Sequence, residues 1–347
     1  MNSYPYKDLF KYTTFHLSTL VQDIVTINNI SDLIYTTSKL KLNKNPFLFL
    51  GQGSNILFYK DLFDGTILLN RINDFTLTQD DSYYYISIGS GFKWVDLVEK
   101  LFNLEIYGLE NLDLIPSSLG GAVIHNIGAY GAEFSTFCES VDYLDIKSLE
   151  FNNLSNSECI FKYRKSIFLD NLNYFIVSVN LRIPKVWKPN LSHNELQIFN
   201  VNTVSPYSIR EKINSLRKSK LPSTDKFGNV GSFFRNPIIS KDQFLEIKAL
   251  YPSLKGFEIE NGVKISAAFL IDKSGLKGYS VNDASVYNFQ PLVIINKDKA
   301  KAKDIVELAK YIFDTVFDKF KIKLVPEVNF IGKYSKIDSF NFLNKNL

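Results

Sequence analysis

The spacing of apolar residues along the chain predicts amphipathic helices. Over residues 304–320 apolar side chains recur every three or four positions, which is the period of one buried helix face. Gly275 follows another stretch of this kind and is a typical helix-ending residue. In all, helices are predicted over 94–102, 264–273 and 304–320, together with a polar, basic helix over 208–220.

Short apolar runs bounded by Gly, Asn and Asp predict strands. Pro326 lies inside the last run, and because proline cannot donate to a sheet ladder, that strand is expected at a sheet edge. Strands and helices do not alternate as regular β-α-β units, so the expected fold class is α+β. Residues 222–231 are a predicted loop between domains, and the predicted strands lie on both sides of a turn within 46–58 and over 66–70, 83–88, 175–183, 291–296 and 323–331.

The segment 115–134, IPSSLGGAVIHNIGAYGAEF, is rich in glycine and nearly uncharged. It holds four of the chain's 17 glycines, and Glu133 is its only formal charge. Because each glycine costs a helix about 1 kcal/mol relative to alanine, we expect neither a helix nor a long strand here. Glycine permits positive φ and close approach of backbone amides to a ligand. The segment therefore predicts a wall against a bulky, flat group such as a cofactor.

Four other positions are candidates for chemistry, each with a structural alternative. The turn at 51–55, GQGSN, could present amides to a diphosphate, or it is a simple hairpin turn. Arg164 lies between apolar pairs and could offer its planar fork to a carboxylate, or it is a surface arginine. Ser232 could be a shielded hydroxyl, or part of a strand entering the core. Glu327 could be a carboxyl desolvated by an apolar strand, or a solvated side chain at its edge.

Composition limits the classes of protein to consider. The chain has 347 residues, is 45% hydrophobic and carries a net charge of +4. This length predicts two or three domains, and the charge suits a small anionic substrate rather than nucleic acid. No apolar run approaches the ~20 residues of a membrane span, so we expect a cytoplasmic protein. Cys138, Cys159 and the HNE sequence at 193–195 do not form a metal motif, and no metal is expected.

Taken together and in order, the motifs resemble one family, the UDP-N-acetylenolpyruvoylglucosamine reductases. The resemblance runs from about Phe15 to Gly332, and the spacing between YRKS and GSFF resembles that of the family's longer subtype. The motifs that carry it are GQGSN at 51–55, NR at 70–71, GLENL at 108–112, NIGAYG at 126–131, YRKSIF at 163–168, KLP at 220–222, GNVGSFFRNP at 228–237 and PEVNFIG at 326–332.

The resemblance implies an FAD enzyme of peptidoglycan synthesis. NADPH would reduce the flavin, which would then reduce the enolpyruvyl double bond of a UDP-sugar to give UDP-N-acetylmuramate. The implied fold has three α+β parts: two N-terminal FAD-binding subdomains of the vanillyl-alcohol-oxidase (PCMH) type, over 1–70 and 71–219, and a substrate-binding domain over 220–320. Residues 321–347 would return as a strand to the flavin site. The implied partners are the UDP-sugar and NADPH, without nucleic acid or membrane, and a monomer is expected.

The resemblance also implies roles for individual residues. Ser232 would protonate the substrate carbon, while Arg164 and Glu327 would stabilise the enolic intermediate. The implied substrate contacts are Tyr163, His193, Lys220, Asn236 and Gln290. The implied FAD contacts are Gly51, Gln52, Gly53, Ser54, Asn55, Pro116, Ser117, Ser118, Gly120, Gly121, Asn126, Gly128, Ala129, Tyr130 and Gly131.

Two residues depart from the family pattern. Ser117 stands where the family usually has glycine, and His193 stands where the longer subtype has a tyrosine that closes over the substrate diphosphate. An imidazole can still donate to a phosphate. Two alternatives stay open: an FAD oxidoreductase of the same binding type with an unrelated substrate, and a flavin or nucleotide-sugar binding protein without catalysis.

Overall fold

The computed structural model describes residues 6–345, which form two compact units. Unit 1 contains the residues up to Asp23, the stretch Gly53–Gly65 and the residues from Ser219 onward. Unit 2 contains Ile24–Gln52 and Thr66–Lys218. Residues 1–5 and 346–347, which belong to the predicted segments 1–70 and 321–347, lie outside the described range.

Helices and strands are numbered along the chain. The helices are α1 Ile30–Leu42, α2 Trp94–Asn103, α3 Leu119–Ile124, α4 Ile167–Asp170, α5 Pro206–Lys220, α6 Lys241–Leu250, α7 Ala267–Lys273, α8 Ala302–Phe320 and α9 Ser339–Asn344. The strands are β1 Lys7–Asp8, β2 Leu20–Ile27, β3 Phe47–Leu50, β4 Ile56–Phe58, β5 Leu62–Asn70, β6 Phe75–Gln79, β7 Tyr83–Gly89, β8 Gly128–Ala129, β9 Ala132–Glu133, β10 Cys138–Asp145, β11 Glu150–Ser155, β12 Tyr174–Pro184, β13 Gly228–Ser232, β14 Ile238–Ile239, β15 Gly256–Ile259, β16 Gly262–Ile265, β17 Ser280–Val281, β18 Ala284–Val286, β19 Val293–Asn296, β20 Asn329–Ile331 and β21 Lys336–Ile337.

Unit 2 is built on an antiparallel sheet of five strands in the order β11-β10-β12-β7-β6. Helix α2 places its apolar face in the core beside this sheet, and Trp94 at its start is fully buried. The indole nitrogen of Trp94 donates to the carbonyl of Leu112 at 2.8 Å, so the one polar atom of this large ring is satisfied. Strands β3 and β5 pair in parallel, with Phe47 opposite Thr66. Strand β3 and the part of β5 from Thr66 onward also belong to unit 2.

Unit 1 has a sheet in the order β13-β19-β18-β17, a second in the order β14-β16-β15 and a third in the order β21-β20-β4. Helix α8 covers its core with the predicted apolar face, since Ile305, Leu308 and Ile312 are fully buried. The backbone N–H of Lys301 donates to the carboxylate of Asp304 at 2.8 Å, which satisfies a free amide at the helix start. The predicted helix 304–320 is therefore present and begins two residues earlier.

Part of the glycine-rich segment is helical, so the prediction of no helix there was wrong for the six residues of α3. Ser118 accepts a hydrogen bond from the Gly121 N–H at 3.2 Å and caps the helix. A Cβ added at Gly120 would lie 3.3 Å from the Ser90 carbonyl oxygen, so glycine permits a close approach of backbones. Leu119 and Val123 are fully buried, and this burial offsets the low helix propensity of the glycines.

Three further predictions differ from the structure. Helix α7 begins at Ala267, not at residue 264, because Gly262–Ile265 pairs with two strands as β16. Within 323–331 only Asn329–Ile331 is a strand, and it is the central strand of its sheet rather than an edge. The predicted loop 222–231 ends in strand β13.

The turn at 51–55 is not a hairpin. Strand β3 before it pairs in parallel with β5, and strand β4 after it pairs in parallel with β20. The two apolar runs thus have different partners, and the hairpin alternative for this turn is wrong.

Across residues 6–345, no helix combines the length and the apolar character that a bilayer span requires.

Candidate active site

The NIGAYG motif forms a tight hairpin in unit 2. Strands β8 and β9 pair with Ala129 opposite Ala132, and the two residues between them, Tyr130 and Gly131, have φ of 47° and 85°. Two-residue hairpin turns of type I′ need positive φ at both central positions, which explains the glycine. The amide of Asn111 donates to the Tyr130 carbonyl at 2.8 Å and holds the turn in place.

Asn126 joins this hairpin to the loop that carries Arg164. Its amide nitrogen donates to the carboxylate of Glu133 at 3.0 Å and to the carbonyl of Lys162 at 3.1 Å. Its amide oxygen accepts from the N–H of Ser135 at 3.0 Å. Asn126 is completely buried, so its side chain orders the surrounding backbone.

Arg164 is held against the hairpin by its own guanidinium. Nη2 donates to the Gly128 carbonyl at 2.5 Å, and the guanidinium lies 5.3 Å from the centre of the Tyr163 ring. A Cβ added at Gly128 would lie 2.9 Å from Nη1, so glycine at this position makes room for the fork. Arg164 itself has φ of 55°, an uncommon conformation for a residue with a side chain.

The other predicted wall begins with Gly51, which lies against the start of α3. A Cβ added at Gly51 would lie 2.3 Å from the Ser118 hydroxyl, so only glycine permits this approach. Arg71 of the NR motif donates to the Gly51 carbonyl at 3.0 Å and to the Asn70 carbonyl at 2.7 Å. The structure thus brings two separate predicted FAD segments, at 51–52 and 116–121, close together within unit 2.

Ser117, which departs from the family's usual glycine, has an ordinary backbone. It is not among the residues with positive φ, so the conformational freedom of glycine is not needed there. Its hydroxyl donates to the Ser118 carbonyl at 2.8 Å and lies 2.7 Å from the position of a Cβ added at Gly121. Gly121 therefore leaves room for the Ser117 hydroxyl.

Ser232 and Glu327 lie on neighbouring stretches of unit 1. The N–H of Glu327 donates to the Phe233 carbonyl at 2.9 Å, and Phe234 forms a bridge with Pro326. The pairing of β13 with β19 shifts register just before Ser232, and an irregularity of this kind redirects a side chain.

Asn55, from the end of the GQGSN turn, supports the backbone at Glu327. Its amide nitrogen donates to the Glu327 carbonyl at 3.2 Å, and its own carbonyl accepts from the Asn329 side chain at 3.1 Å. The preceding Gly53 packs against the N-terminal segment, where an added Cβ would lie 2.2 Å from the Tyr12 carbonyl oxygen. The second half of this predicted FAD turn therefore belongs to unit 1 and contacts the strand that follows Glu327.

Asn236 and Gln290, two of the predicted substrate contacts in unit 1, accept hydrogen bonds within that unit. The Asn236 side-chain oxygen accepts from the N–H of Ala267 at 3.0 Å and caps α7. The carbonyl of Gln290 accepts from the N–H of Val293, the residue opposite Ser232, at 2.9 Å. Gln290 is thereby tied to the strand that pairs with the Ser232 strand. Lys220, the last residue of α5, is half-buried in the same unit.

His193 lies in unit 2, where its ring contacts Glu195 and Tyr130. Nδ1 accepts from the N–H of Glu195 at 3.3 Å, so Nε2 carries the proton of a neutral ring. The imidazole meets the Tyr130 ring edge-on, with centroids 5.1 Å apart. His193 thus contacts the NIGAYG hairpin.

The predicted catalytic residues are divided between the two units. Ser232 and Glu327 belong to unit 1, and Arg164 belongs to unit 2. Within unit 1 the structure brings Ser232 into the neighbourhood of Glu327 and Gln290. Within unit 2 it brings Arg164 into contact with the NIGAYG hairpin.

Two features of the predicted FAD and catalytic segments fit a bound ligand. The Nε2 amide of Gln52 in unit 2 is buried and makes no hydrogen bond to any described residue. Leaving such a group unpaired costs about 1–3 kcal/mol, so a polar ligand atom there would be stabilising. In unit 1, the position of a Cβ added at Gly231 faces open space, with no heavy atom within 4 Å apart from Gly231 and its chain neighbours Val230 and Ser232.

Arg217, on α5, is a candidate that the sequence analysis missed. Its Nη2 donates to the Leu114 carbonyl at 3.1 Å, one residue before the glycine-rich segment. Burial lowers the pKa of the Arg217 guanidinium, although Tyr130 and Asp113 nearby favour its charged form. A buried cation beside this wall can hold a phosphate. The sequence offered no signal for it, because 208–220 contains several basic residues of similar appearance.

Glu110, in the GLENL motif, is a second buried ionisable group of unit 2. Its carboxylate accepts from the Trp187 indole at 2.5 Å and from the Gly108 N–H at 2.7 Å, and burial raises its pKa. The neighbouring Asn111 donates to the carbonyls of Tyr130 and Asn190. These contacts position the hairpin and explain why the motif is polar although it is buried.

Comparison with known proteins identifies both parts of the chain. Residues 21–147 match an FAD binding domain, and residues 222–331 match the C-terminal domain of UDP-N-acetylenolpyruvoylglucosamine reductase. The UDP-N-acetylenolpyruvoylglucosamine reductase of Buchnera aphidicola subsp. Baizongia pistaciae is 41% identical, over 94% of this chain and 99% of its own. That of Pasteurella multocida is 41% identical, over 96% of this chain and 98% of its own. The crystal structure of the Thermus caldophilus reductase, 22% identical, covers 94% of this chain and 98% of its own with a TM-score of 0.64, and so shares the fold.

Proposed function

We propose catalytic and binding roles for individual side chains of this protein. The chain belongs to the UDP-N-acetylenolpyruvoylglucosamine reductase family. It is an FAD-containing oxidoreductase that reduces UDP-N-acetylenolpyruvoylglucosamine in peptidoglycan synthesis, with NADPH as reductant. FAD, when bound, supplies the hydride for this reduction. The protein supplies binding, orientation, charge stabilisation and a proton.

Ser232 is the proposed proton donor to the substrate carbon. A serine hydroxyl is a weak acid in water, so its donation depends on a strongly basic enolic carbon and on close positioning. The pairing of β13 with β19 shifts register before Ser232, and an irregularity of this kind can re-aim a side chain. The observation that carries the proposal is the 2.9 Å hydrogen bond from the Glu327 N–H to the Phe233 carbonyl, which holds two of the proposed groups on adjacent stretches of chain.

Arg164 and Glu327 are proposed to stabilise the charge that develops at the substrate carboxylate. A guanidinium fork matches a carboxylate in shape and charge. The Gly128 carbonyl holds one side of this fork, and the backbone of Arg164 is kept at a φ that is rarely seen outside glycine. Uncommon conformations of this kind cluster at functional sites and cost about 1–3 kcal/mol each, which supports a functional role here.

The two glycine-rich segments are proposed to hold FAD. The close approach of Gly51 to Ser118 and the unpaired amide of Gln52 support this placement, and Arg217 adds a positive charge on the same unit. The proposed contacts remain those predicted at 51–55 and 116–131. For the substrate, Tyr163, His193, Lys220, Asn236 and Gln290 are the proposed contacts, with Nε2 of His193 as the donor to the diphosphate.

We further propose a cytoplasmic, monomeric enzyme that works on its UDP-sugar and NADPH without a nucleic acid or membrane partner. The mild net charge of +4 supports anionic small molecules as the partners. We likewise propose that the chain divides into four functional segments, 1–70, 71–219, 220–320 and 321–347. Analytical ultracentrifugation of the FAD-loaded enzyme tests the monomeric state.

The variant Ser232→Ala tests the proposed proton donor. We expect NADPH to reduce its flavin at the wild-type rate under anaerobic conditions, because this half-reaction does not use the hydroxyl. Reoxidation by UDP-N-acetylenolpyruvoylglucosamine should slow at least ~100-fold, the usual contribution of a positioned acid. Both half-reactions are followed by stopped-flow absorbance of the flavin.

Ser274→Ala is the matched control, since it removes a buried serine hydroxyl of the same unit that has no hydrogen-bond partner among residues 6–345. Its two half-reactions should match those of the wild type. If Ser232→Ala also reoxidises at the wild-type rate, Ser232 does not supply the proton.

A further inference from the structure

A surface cavity of about 560 Å³ lies in unit 1, apart from every predicted catalytic, FAD-binding and substrate-binding residue. Its volume is within the ~300–1,000 Å³ that is usual for small-molecule sites. Three segments meet there: the residues after β4, the first turns of α8, and α9. The lining residues are Tyr59, Lys60, Lys303, Val306, Glu307, Lys310 and Phe342.

An aromatic wall forms one side of this cavity. The Tyr59 and Phe342 rings lie 4.9 Å apart, and the Phe342 ring also meets the Phe330 ring at 5.8 Å. The N–H of Tyr59 donates to the Ile331 carbonyl at 3.1 Å, which continues the pairing of β4 with β20. The wall is therefore fixed by a sheet and a core contact, and a ring bound against it would need little rearrangement.

The cavity is also positively charged. Its lining has three lysines and one glutamate, Glu307. Lys310 is already paired with Asp314 at 2.5 Å, whereas Lys303 has no ion pair within residues 6–345. Lys60 places its ammonium 5.0 Å from the centre of the Tyr59 ring, a position from which it can also reach an anion next to that ring. Within residues 6–345, Lys60 and Lys303 thus have no carboxylate partner.

We propose that this cavity is a second ligand site, which binds a small anion that carries an aromatic ring, of the aryl phosphate class. The ring packs against Tyr59, Val306 and Phe342, and the phosphate lies between the ammonium groups of Lys60 and Lys303. Glu307 disfavours a second anionic group on the same ligand and can accept a hydrogen bond from a neutral donor on it. Both features together select against free phosphate, which lacks the ring, and against a neutral aromatic molecule, which lacks the charge.

The probe is 1-naphthyl phosphate, titrated into FAD-loaded enzyme by isothermal calorimetry. Saturating UDP-N-acetylmuramate is present throughout, so that the UDP-sugar site is already filled. We expect saturable binding of the probe at one site, and much weaker binding of 1-naphthol and of inorganic phosphate. Absence of probe binding under these conditions overturns the proposal, as does equal binding of inorganic phosphate.

The variant Lys303→Ala locates the binding. Exposed charge pairs contribute about 0.2–1 kcal/mol, so we expect about 1.4- to five-fold weaker binding of the probe. Lys299→Ala is the matched control, because its side chain is 84% exposed in the same unit and lies outside the cavity lining. Binding that is unchanged in Lys303→Ala, or weakened equally in Lys299→Ala, contradicts the proposed site.

Discussion

Replacing Arg164 with lysine would keep the positive charge of this side chain but remove its planar fork. In the structure one guanidinium nitrogen donates to the Gly128 carbonyl at 2.5 Å, and the second, Nη1, lies beside the same glycine. A lysine has one ammonium on a flexible stem, so it cannot bond to this carbonyl and hold a carboxylate in the same geometry. Loss of one hydrogen bond to a charged group costs about 1.5–3 kcal/mol. Because about 1.36 kcal/mol in the activation free energy corresponds to a tenfold change in rate, reduction of the UDP-sugar should slow by about 10- to 150-fold.

The assay is the pair of flavin half-reactions in Arg164→Lys, measured by stopped-flow absorbance. NADPH should reduce the flavin at the wild-type rate, and only reoxidation by the UDP-sugar should slow. Arg182→Lys is the matched control, since Arg182 is an exposed arginine of the same unit that lies 5.0 Å over the Tyr83 ring. Wild-type reoxidation in Arg164→Lys would refute the reasoning, and equal slowing of both half-reactions would point to damaged FAD binding instead.

Three further predictions follow from single contacts. In Gly128→Ala the new Cβ would lie 2.9 Å from Nη1 of Arg164 and displace the fork, so reoxidation by the UDP-sugar should slow. A changed spectrum would show that the cofactor, not Arg164, had been disturbed. In Gly228→Ala the Cβ would lie 2.1 Å from the Phe15 carbonyl oxygen. Overpacking of this kind lowers the free energy of unfolding by about 1–3 kcal/mol, so calorimetry should show a lower Tm. An unchanged Tm would mean that the segment shifts freely. Burial raises the pKa of Glu110, so the native state binds its proton more tightly than the unfolded state does. The stability of the wild type relative to Glu110→Gln should therefore fall as pH rises above the ordinary value of 4.5, by at most about 1.36 kcal/mol per pH unit, and a pH-independent difference in urea unfolding would contradict this.

The fold was predictable wherever local pattern and tertiary packing agree. The helices α2 and α8 begin and end within two residues of their predicted bounds, because their apolar period matches the face that the core buries. Local pattern failed where a distant partner decided the outcome. Residues 264–265 were predicted to begin a helix but belong to β16, which pairs with two strands, and the glycines of α3 are accepted because Leu119 and Val123 are buried.

The candidate site shows the same limit. Sequence motifs singled out Arg164, Ser232 and Glu327, but no periodicity could reveal the backbone contacts around them. Arg217 and the unpaired amide of Gln52 emerged only from the structure, because burial and missing partners are properties of the folded chain.

The sequence by itself determined the family, the α+β class and the order of the motifs, since these depend on residue identity and local spacing. Only the tertiary structure decided which motifs meet. It joined the stretch at Glu327 to the Phe233 backbone, divided the GQGSN turn between two units, and fixed Arg164 against Gly128. The physical reason is that such contacts link distant residues, as between Asn55 and Glu327, which are 272 positions apart, and these pairs are set by packing and hydrogen bonding that no local window of sequence contains.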